Sequence, residues 1–536
     1  MKNEITTTIN NALISMDYPS VNISIEKPKN KGNGDISSNI AFLLSKELKQ
    51  NPMDIANKLK NILNKSDLFQ TVEVASPGFI NFRFNVKPIV KNINKIIKLD
   101  TNYGKNNSGE NKKVLVEFVS ANPTGPLTVG HGRGAIIGDT ISNILSWNGY
   151  LVDREYYYNN AGRQMRILGE SLKARCYELL NKDYFFPEDG YKGNYIIDIA
   201  NNLHSKLGNA LLDENDDFFK QEAEKYIFED INATLKKLGL KFDSYFNEHT
   251  LYENKDIYAV IDQLKEKKLI YEKDGATWFK ATSIGLKADR VLIKNTGEPT
   301  YRLPDIAYHV TKFNRGYDMC IDIFGADHMD AYPDVLAALN QLGFNDKNVI
   351  VLIHQFVSIV KNGEITKMST RQGNFTTLDQ LINDIGADVV RYFFIMRHMN
   401  SHLNFDLELA KQKSDKNPVY YIQYAYARIC TIVAKASDSN NKPDLNQLTE
   451  NDEIQLIHKL IEFEELIIKL KDKSEPQLLA NYLFELATLF HKYYANYKII
   501  SDDKILTEAR LKLIKAIRIV IRNGLDILGI SHPERM

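Results

Sequence analysis

Thr128-Val129-Gly130-His131, followed by Gly132 and Gly134, is the stretch whose residue types and spacing are best suited to chemistry. Glycines at alternate positions let a phosphate or a nucleotide base lie against bare backbone N–H groups, and the histidine can donate to a phosphate oxygen. The flanking residues supply the elements that would position such a site. Val114, Leu115, Val116, Phe118 and Val119 form the short apolar run of a strand buried on both faces, interrupted by Glu117. Asn122-Pro123-Thr124-Gly125-Pro126 then forces a turn, because the prolines lack a donor and Gly125 permits angles that other residues avoid. From about Gly130 the apolar spacing is helical, with Ile136, Ile137, Thr140, Ile141, Ile144 and Leu145 on one face. Strand, glycine-rich turn and helix start together make an anion site. Neither the P-loop pattern nor the dinucleotide G-x-G-x-x-G pattern is met. Taken alone, the stretch also admits a plainer reading in which the glycines only allow close packing.

A second stretch, Ile365-Thr366-Lys367-Met368-Ser369-Thr370-Arg371-Gln372-Gly373-Asn374, decides between them. Lys367 and Arg371 bracket a loop of the kind that closes over a triphosphate and neutralises charge that moves on reaction. A KMS-type loop far downstream of an x-x-G-H turn resembles the paired signatures of the class I aminoacyl-tRNA synthetases. SANPTGPLxVGHGRG, the Tyr301 to Asp305 segment of YRLPDIAYH, GADH at Gly325 to His328, NPVYYIQYAYAR at Asn417 to Arg428 and the terminal PERM all resemble the arginyl-tRNA synthetases. The resemblance spans nearly the whole chain, in the family's order.

That resemblance implies a ligase that joins arginine to ATP as arginyl-adenylate, releases pyrophosphate and passes arginine to the terminal ribose of tRNA(Arg). It implies catalytic roles for His131, Thr128, Lys367 and Arg371. ATP is expected along Ala121, Asn122, Pro123, Thr124, Gly125, Pro126, Leu127, Thr128, Val129, Gly130, His131, Gly132 and Gly134, with Lys367, Met368 and Ser369 from the loop. A guanidinium is planar and permanently charged, and is best met by carboxylates; Glu117 and Asp305 are the matching positions. Tyr301 would lie along the substrate's methylenes, Ser120 and Asn122 would hold its amino and carboxylate ends, and His328 would be a pocket residue. Gln423, Tyr424, Arg428, Arg535 and Met536 are expected at tRNA. ATP would enter as its Mg2+ complex, without a prosthetic group or a protein metal site. Two positions depart from the family pattern. Thr128 stands where the first histidine is usual, and Thr370 where a second lysine is usual, so another cation is expected: Lys367, Arg371, Lys112 or Lys113. Family members with weakened signatures need tRNA before they activate arginine, and the same is expected here.

The chain has 536 residues, with 68 Lys and Arg against 68 Asp and Glu. This length predicts roughly three or four domains, and balanced charge argues against a protein that coats nucleic acid generally. Residues 1–112 hold roughly 16 Lys and Arg against about 10 Asp and Glu, a local basic bias. No apolar run of about 18 residues is present and the N-terminus is polar, so a cytoplasmic protein without membrane or DNA partners is expected. Cys176, Cys320 and Cys430 are far apart and suggest neither disulfide nor zinc. Monomer is the default.

The expected fold class is α/β: a Rossmann-like parallel-sheet catalytic domain over 105–404 with a helical, charged insertion around 170–250, preceded by a small α/β domain over 1–104 and followed by an α-helical bundle over 405–536. In the first unit, Gly34-Asp35 and Asn39-Ile40-Ala41 resemble a family motif for the tRNA corner, with Ile36 where an aromatic is usual; Asp35 equally suits a helix cap. Arg154 to Asn160, Val291 to Lys294, Met319 to Phe324 and Val349 to Ile353 read as strands of the sheet, and Asp330 to Leu342 as a helix. Ile454, Ile457, Ile461 and Ile468, then Leu479, Leu483, Leu486 and Phe490, then Leu513, Ile517 and Leu528, repeat at helical spacing. Tyr420, Tyr421, Tyr424 and Tyr426 suit either stacking on bases or a core. Two other readings stay open on the residues alone. Thr128-x-Gly130-His131 also resembles the turn of small nucleotidylyltransferases, whose chains are shorter and lack a terminal bundle, and a non-enzymatic tRNA-binding relative would tolerate Thr128 and Thr370.

Overall fold

Val114, Leu115 and Val116 are fully buried, as their apolar run requires, because the strand they form has neighbours on both sides. A computed structural model describes the chain except for residues 1, 27, 29, 31, 32, 161, 330, 331, 366–375 and 437–442 and the side chains of 2, 3, 86 and 328. Its central sheet comprises β1 (Lys113–Glu117), β2 (Leu151–Tyr158), β3 (Ser244–Asn247), β4 (Met319–Gly325) and β5 (Val349–His354). The spatial order is β5-β4-β1-β2-β3, and every pair is parallel. Parallel neighbours need crossover connections. Helix α1 (Val129–Trp147) links β1 to β2, and α2 (Arg302–Asn314) precedes β4. The chain steps outward from β1 to β3 and then returns to the other side of β1, so the strand order reverses between β1 and β4. At such a point the connections leave in opposite directions and open a crevice at the carboxyl ends of the strands.

The insertion expected around 170–250 consists of helices Gly162–Leu179, Asn194–Leu207 and Asp216–Lys237. It ends sooner than its charge pattern suggested, since Ser244 already belongs to β3. The run at Val291 does not join the parallel sheet. Arg290–Ile293 pairs antiparallel with Ala276–Phe279, and that strand with Ile270–Lys273, in a separate three-stranded sheet. A four-residue apolar run carries no information about which partner it pairs with.

The N-terminal unit is a four-stranded antiparallel sheet, Ile25–Glu26, Ile36–Ser38, Phe79–Phe84 and Phe69–Ala75 in order, backed by helices. Asp35 does not cap the helix that follows, whose N-cap is Asn39; its carboxylate accepts from Phe84 N at 2.8 Å and ties the preceding loop to that strand. The stretch after this unit is docked against the C-terminal bundle. Tyr103, buried, donates its hydroxyl to Leu460 O at 3.0 Å, and the Asn523 amide donates to Asp100 O and Tyr103 O. That bundle contains α4 (Pro418–Lys435), helices Asn451–Lys473 and Gln477–Asn496, and α5 (Lys504–Leu528). The apolar periods point into its core, with one exception: Ile468 is exposed, and Ile467 takes the inner position.

Arg391 joins these units. It sits in α3 (Ala387–Ile395), which lies in the chain between sheet and bundle, and is buried to 1% exposure. Its guanidinium donates to Asp139 of α1 at 2.5 Å, to Leu238 O at the end of the insertion at 2.9 Å, and to Leu528 O in the last turn of α5 at 2.8 Å. Gly529 caps α5 in the left-handed region at φ +65°, where a Cβ would lie 2.2 Å from the arginine's terminal nitrogen. Replacing Arg391 with leucine should destabilise the protein by about 3–5 kcal/mol, since it leaves two buried carbonyls without this donor and takes from Asp139 the nearer of its two cations, the other being Arg154 at 3.4 Å. Urea unfolding followed by circular dichroism measures this, and a loss below about 1 kcal/mol would show that the three contacts are incidental.

Candidate active site

The floor of the crevice between β1 and β4 is built around Lys312. Fully buried on α2, its ammonium lies 2.7 Å from Glu117 Oε2 and 2.6 Å from Asp322 Oδ1. His309 Nε2 lies 2.7 Å from the other Asp322 oxygen. Burial alone would push Lys312 down, but Asp322 and Glu117 hold it well above the ordinary lysine range. Burial would push Asp322 up, but Lys312 and His309 hold it well below the carboxylate range. At Glu117 burial prevails over the pull of Lys312 and the carboxyl is raised. An unpartnered buried ammonium costs several kcal/mol, so both acids are committed to it. Glu117, expected at the guanidinium, is thus an internal partner of Lys312 and accepts a further hydrogen bond from Ser120 Oγ at 3.0 Å.

Over this floor opens a cleft of about 740 Å3. Glu117, Glu248, Asp305, Asp322 and Asp327 line it, and among the described residues no lysine or arginine does. Asp305 stands in the first turn of α2. Its carbonyl accepts from His309 Nδ1 at 2.7 Å, but none of the described residues donates a hydrogen bond to its carboxylate. Burial raises this carboxyl to about 7; His309 and Lys312 oppose the shift, and Glu117 and Glu248 add to it. Glu248, which follows β3, is a residue the sequence reading did not single out. It is 8% exposed, and its Oε2 accepts from Tyr157 Oη at 2.8 Å and Asn159 Nδ2 at 2.7 Å, which leaves Oε1 for a further donor. Burial raises its carboxyl as well. Tyr157 and Tyr308 pack with ring centres 4.5 Å apart. Tyr308 is fixed by donating to Glu155 at 2.6 Å, and Glu155 is itself clamped by both ends of Arg315. Tyr301 lies at the mouth, 75% exposed, so its ring is free to cover what enters. The residues leaving β1 carry strain: Val119 and Ser120 have φ of +69° and +41°, and left-handed non-glycine residues cost on the order of 1–3 kcal/mol each. Ser120 Oγ accepts from Tyr157 N at 3.1 Å, which helps hold that conformation.

Thr128 and His131 cap α1 reciprocally. His131 N donates to Thr128 Oγ1 at 3.4 Å, and Thr128 N donates to His131 Nδ1 at 3.2 Å. With Nδ1 accepting, the ring proton is on Nε2. Burial lowers the His131 pKa, with Asp327 opposing, so the neutral ring offers a single N–H to the cleft. The glycines divide between the two readings. Gly130 faces open space, its nearest neighbour Thr128 Oγ1 at 3.6 Å from a notional Cβ. A Cβ at Gly132 would lie 2.5 Å from Leu378, and one at Gly134 2.8 Å from His354 Nε2, so these two allow close packing. His354, also missed in the sequence, is pushed down by burial to about 4. Ala121, Leu127 and Val129 are buried, as is Pro123, so their side chains serve the core and only their backbone can meet a ligand. Thr124, Gly125 and Pro126 line an adjoining cavity of about 1080 Å3 that shares Asn122, Thr128 and His131 with the first.

Lys367, Met368, Ser369 and Arg371, with Thr370, lie outside the described residues, as does the side chain of His328. Lys112 and Lys113 cannot substitute for a missing cation at the cleft. They sit at the amino end of β1, roughly 13 Å of strand from Glu117, and Lys112 lies 3.5 Å from Glu110.

In the C-terminal bundle, Tyr424 stacks 6.4 Å from Tyr420, and the Arg428 guanidinium lies 4.6 Å from the Tyr424 ring and 4.7 Å from that of Tyr494. All are partly exposed. Gln423 is not part of this face: it is buried, and its amide donates to Asp388 Oδ2 and Ser531 O, each at 2.8 Å. It thereby anchors the C-terminal segment, whose Ser531 N also donates to Asp388 at 2.9 Å. Arg535 and Met536 beyond it are exposed.

Three family models match: "Arginyl tRNA synthetase N terminal domain" over residues 3–84, "tRNA synthetases class I (R), catalytic domain" over 92–392, and "DALR anticodon binding domain" over 422–536. The arginine–tRNA ligase of Chlorobium luteolum is 48% identical over 553 aligned positions, covering 100% of both chains. That of Desulfotalea psychrophila is 47% identical, covering 96% of this chain and 94% of its own. Among solved structures, a putative arginyl-tRNA synthetase from Campylobacter jejuni superposes with a TM-score of 0.77 at 32% identity, over 84% of this chain and all of its own. The arginyl-tRNA synthetase of Thermus thermophilus has the same fold over the full length of both chains, at 21% identity and a TM-score of 0.77.

If the cleft encloses Asp305 as described, a wild-type minus Asp305→Asn infrared or carbon-13 difference titration should show one carboxyl changing state near pH 7. A midpoint in the ordinary carboxylate range, about 4, would show that the carboxyl is solvated.

Proposed function

The chain belongs to the class I arginyl-tRNA synthetases, and we propose that this ATP-dependent arginine–tRNA ligase takes the guanidinium of its substrate on Asp305 and Glu248. One observation carries the reading: an unpartnered Asp305 carboxylate and the open Oε1 of Glu248 face one cleft from which described cations are missing. Binding a guanidinium replaces the charge–charge cost of two neighbouring acids with paired N–H donors. Glu117 has its charge matched by Lys312 and supports Ser120 from below. Tyr301 closes over the methylenes, while Ser120 and Asn122 meet the amino and carboxylate ends, with His328 nearby.

For the first step, the arginine carboxylate attacks the α-phosphate of ATP and pyrophosphate leaves. The amino end of α1, open at Gly130, and the neutral His131 Nε2–H face the nucleotide side. Thr128 caps that helix and carries no charge, so cationic stabilisation of pyrophosphate is assigned to Lys367 and Arg371. ATP enters as its Mg2+ complex. In the second step a ribose hydroxyl of the terminal tRNA adenosine takes the arginyl group. Tyr424, Arg428, Arg535 and Met536 form the anticodon-side contact with tRNA(Arg), and Gln423 holds the tail in place. With the charged histidine and lysine positions both occupied by threonine, arginine activation requires bound tRNA. The protein acts as a cytoplasmic monomer with domains over 1–104, 105–404 and 405–536.

Arginine-dependent exchange of pyrophosphate into ATP, assayed with and without tRNA, should appear only with tRNA present. Asp305→Asn and Glu248→Gln should each raise the arginine KM by about two orders of magnitude at saturating tRNA, since losing one buried charge-assisted pair costs about 3 kcal/mol. Near-normal KM in both variants would remove these residues from the pocket. Deleting Pro533 to Met536 should raise the tRNA KM several-fold with arginine and ATP KM unchanged; unaltered charging at limiting tRNA would show that the tail is dispensable.

A further inference from the structure

Between Ala121 and Leu127 the chain has no regular structure of its own, and it follows two strained residues. Its ends are tacked by the catalytic core: Tyr156 donates to Ala121 O at 2.7 Å, and Leu378 N donates to Leu127 O at 2.8 Å. Its middle is tacked only from the helical insertion, among the described residues. Asn122 Nδ2 donates to Gln164 Oε1 at 2.9 Å, and Tyr195 Oη donates to Thr124 O at 2.8 Å. Gly125 lies directly under Tyr195, whose hydroxyl would be 3.1 Å from a Cβ there.

An asparagine amide has a donor end and an acceptor end, and which of them meets a substrate depends on what holds the other. Here the nitrogen is committed to Gln164, and Oδ1 takes no hydrogen bond from the described residues. Both side chains line the cleft and its adjoining cavity. We propose that Gln164 is a positioning residue for arginine: by accepting from Asn122 Nδ2 it fixes the amide with Oδ1 turned to the substrate's ammonium. Gln164 itself does not touch the substrate. Without it, the amide of an exposed asparagine on an irregular turn rotates freely, and its NH2 competes for the position facing a cation. The inference rests on the reading above that Asn122 meets the amino acid end of the substrate, and places it at the ammonium there because only its acceptor oxygen is left.

The test compares Gln164→Leu, which removes the acceptor, with Gln164→Glu, which keeps one, in the full-length enzyme with saturating tRNA. Gln164 is exposed, so both variants should fold. Gln164→Leu should raise the arginine KM about three- to tenfold, the range for one net hydrogen bond, with kcat and the ATP KM unchanged. Gln164→Glu should restore most of it. In an Asn122→Ala background, itself raised in arginine KM, adding Gln164→Leu should have no further effect. An unchanged KM in Gln164→Leu, an equal loss in Gln164→Glu, or an undiminished penalty in the Asn122→Ala background would each overturn the proposal. An Asn122→Ala enzyme with normal arginine KM would instead overturn the role given to Asn122, and the positioning with it.

Discussion

Lys312 is fully buried beneath the cleft, and the pairing with Glu117 on β1 and Asp322 on β4 makes that position tenable. Those strands are adjacent because the chain returns to the far side of β1 after building β2 and β3. The ammonium therefore acts as a pin at the point where the sheet's direction of growth reverses. It also decides the electrostatics above it. Asp322 and Glu117 are consumed by one internal cation, and the acids proposed for the guanidinium are two with which Lys312 makes no ion pair. Asp305 and Glu248 are these acids. Burial raises both carboxyls, as it raises Glu117; what sets them apart is that, among the described residues, neither forms an ion pair with a lysine or arginine, whereas Glu117 does.

The same economy runs through the start of α1, proposed above for the nucleotide. Thr128 and His131 form the capping box of α1, a structural device that also fixes the imidazole tautomer and aims its remaining proton outward. Arg133, two residues on, is fully buried and donates to Gln355 O, Ser401 O and His398 O. The start of α1 is thereby bound to the segments following β5.

Much of this was legible in the sequence where it depends on local pattern. The apolar run at Val114 and the helical periods of the bundle report their environment directly, because burial repeats with the geometry of strand or helix. The turn at Asn122 to Pro126 is written in prolines and glycine. What escaped notice is what depends on pairing at a distance. Lys312 lies 195 positions from Glu117 and reads as an ordinary lysine on a polar helix, so Glu117 was assigned to the ligand. Glu248 stands among charged neighbours just after a short strand, with nothing local to mark it as enclosed. Gln423 falls within an aromatic-rich motif that suggests contact with nucleic acid, yet its register on α4 points it at Asp388 and the chain's last turn. The glycines of this turn look alike in the sequence, but of Gly130, Gly132 and Gly134 only Gly130 is open, and the crowding at the other two comes from Leu378 and His354, far along the chain.

The central claim is that arginine meets an Asp305 carboxyl that is largely protonated below pH 7, while Glu117 stays with Lys312. Capturing a guanidinium must then expel the Asp305 proton. Isothermal titration of arginine into the tRNA-bound enzyme at pH 6.5, repeated in buffers of different ionisation heat, counts that proton directly. The account predicts release of most of one proton per arginine, a release that shrinks by pH 8.5 and persists in Glu117→Gln. No release at pH 6.5, or a release that vanishes in Glu117→Gln and remains in Asp305→Asn, would contradict it.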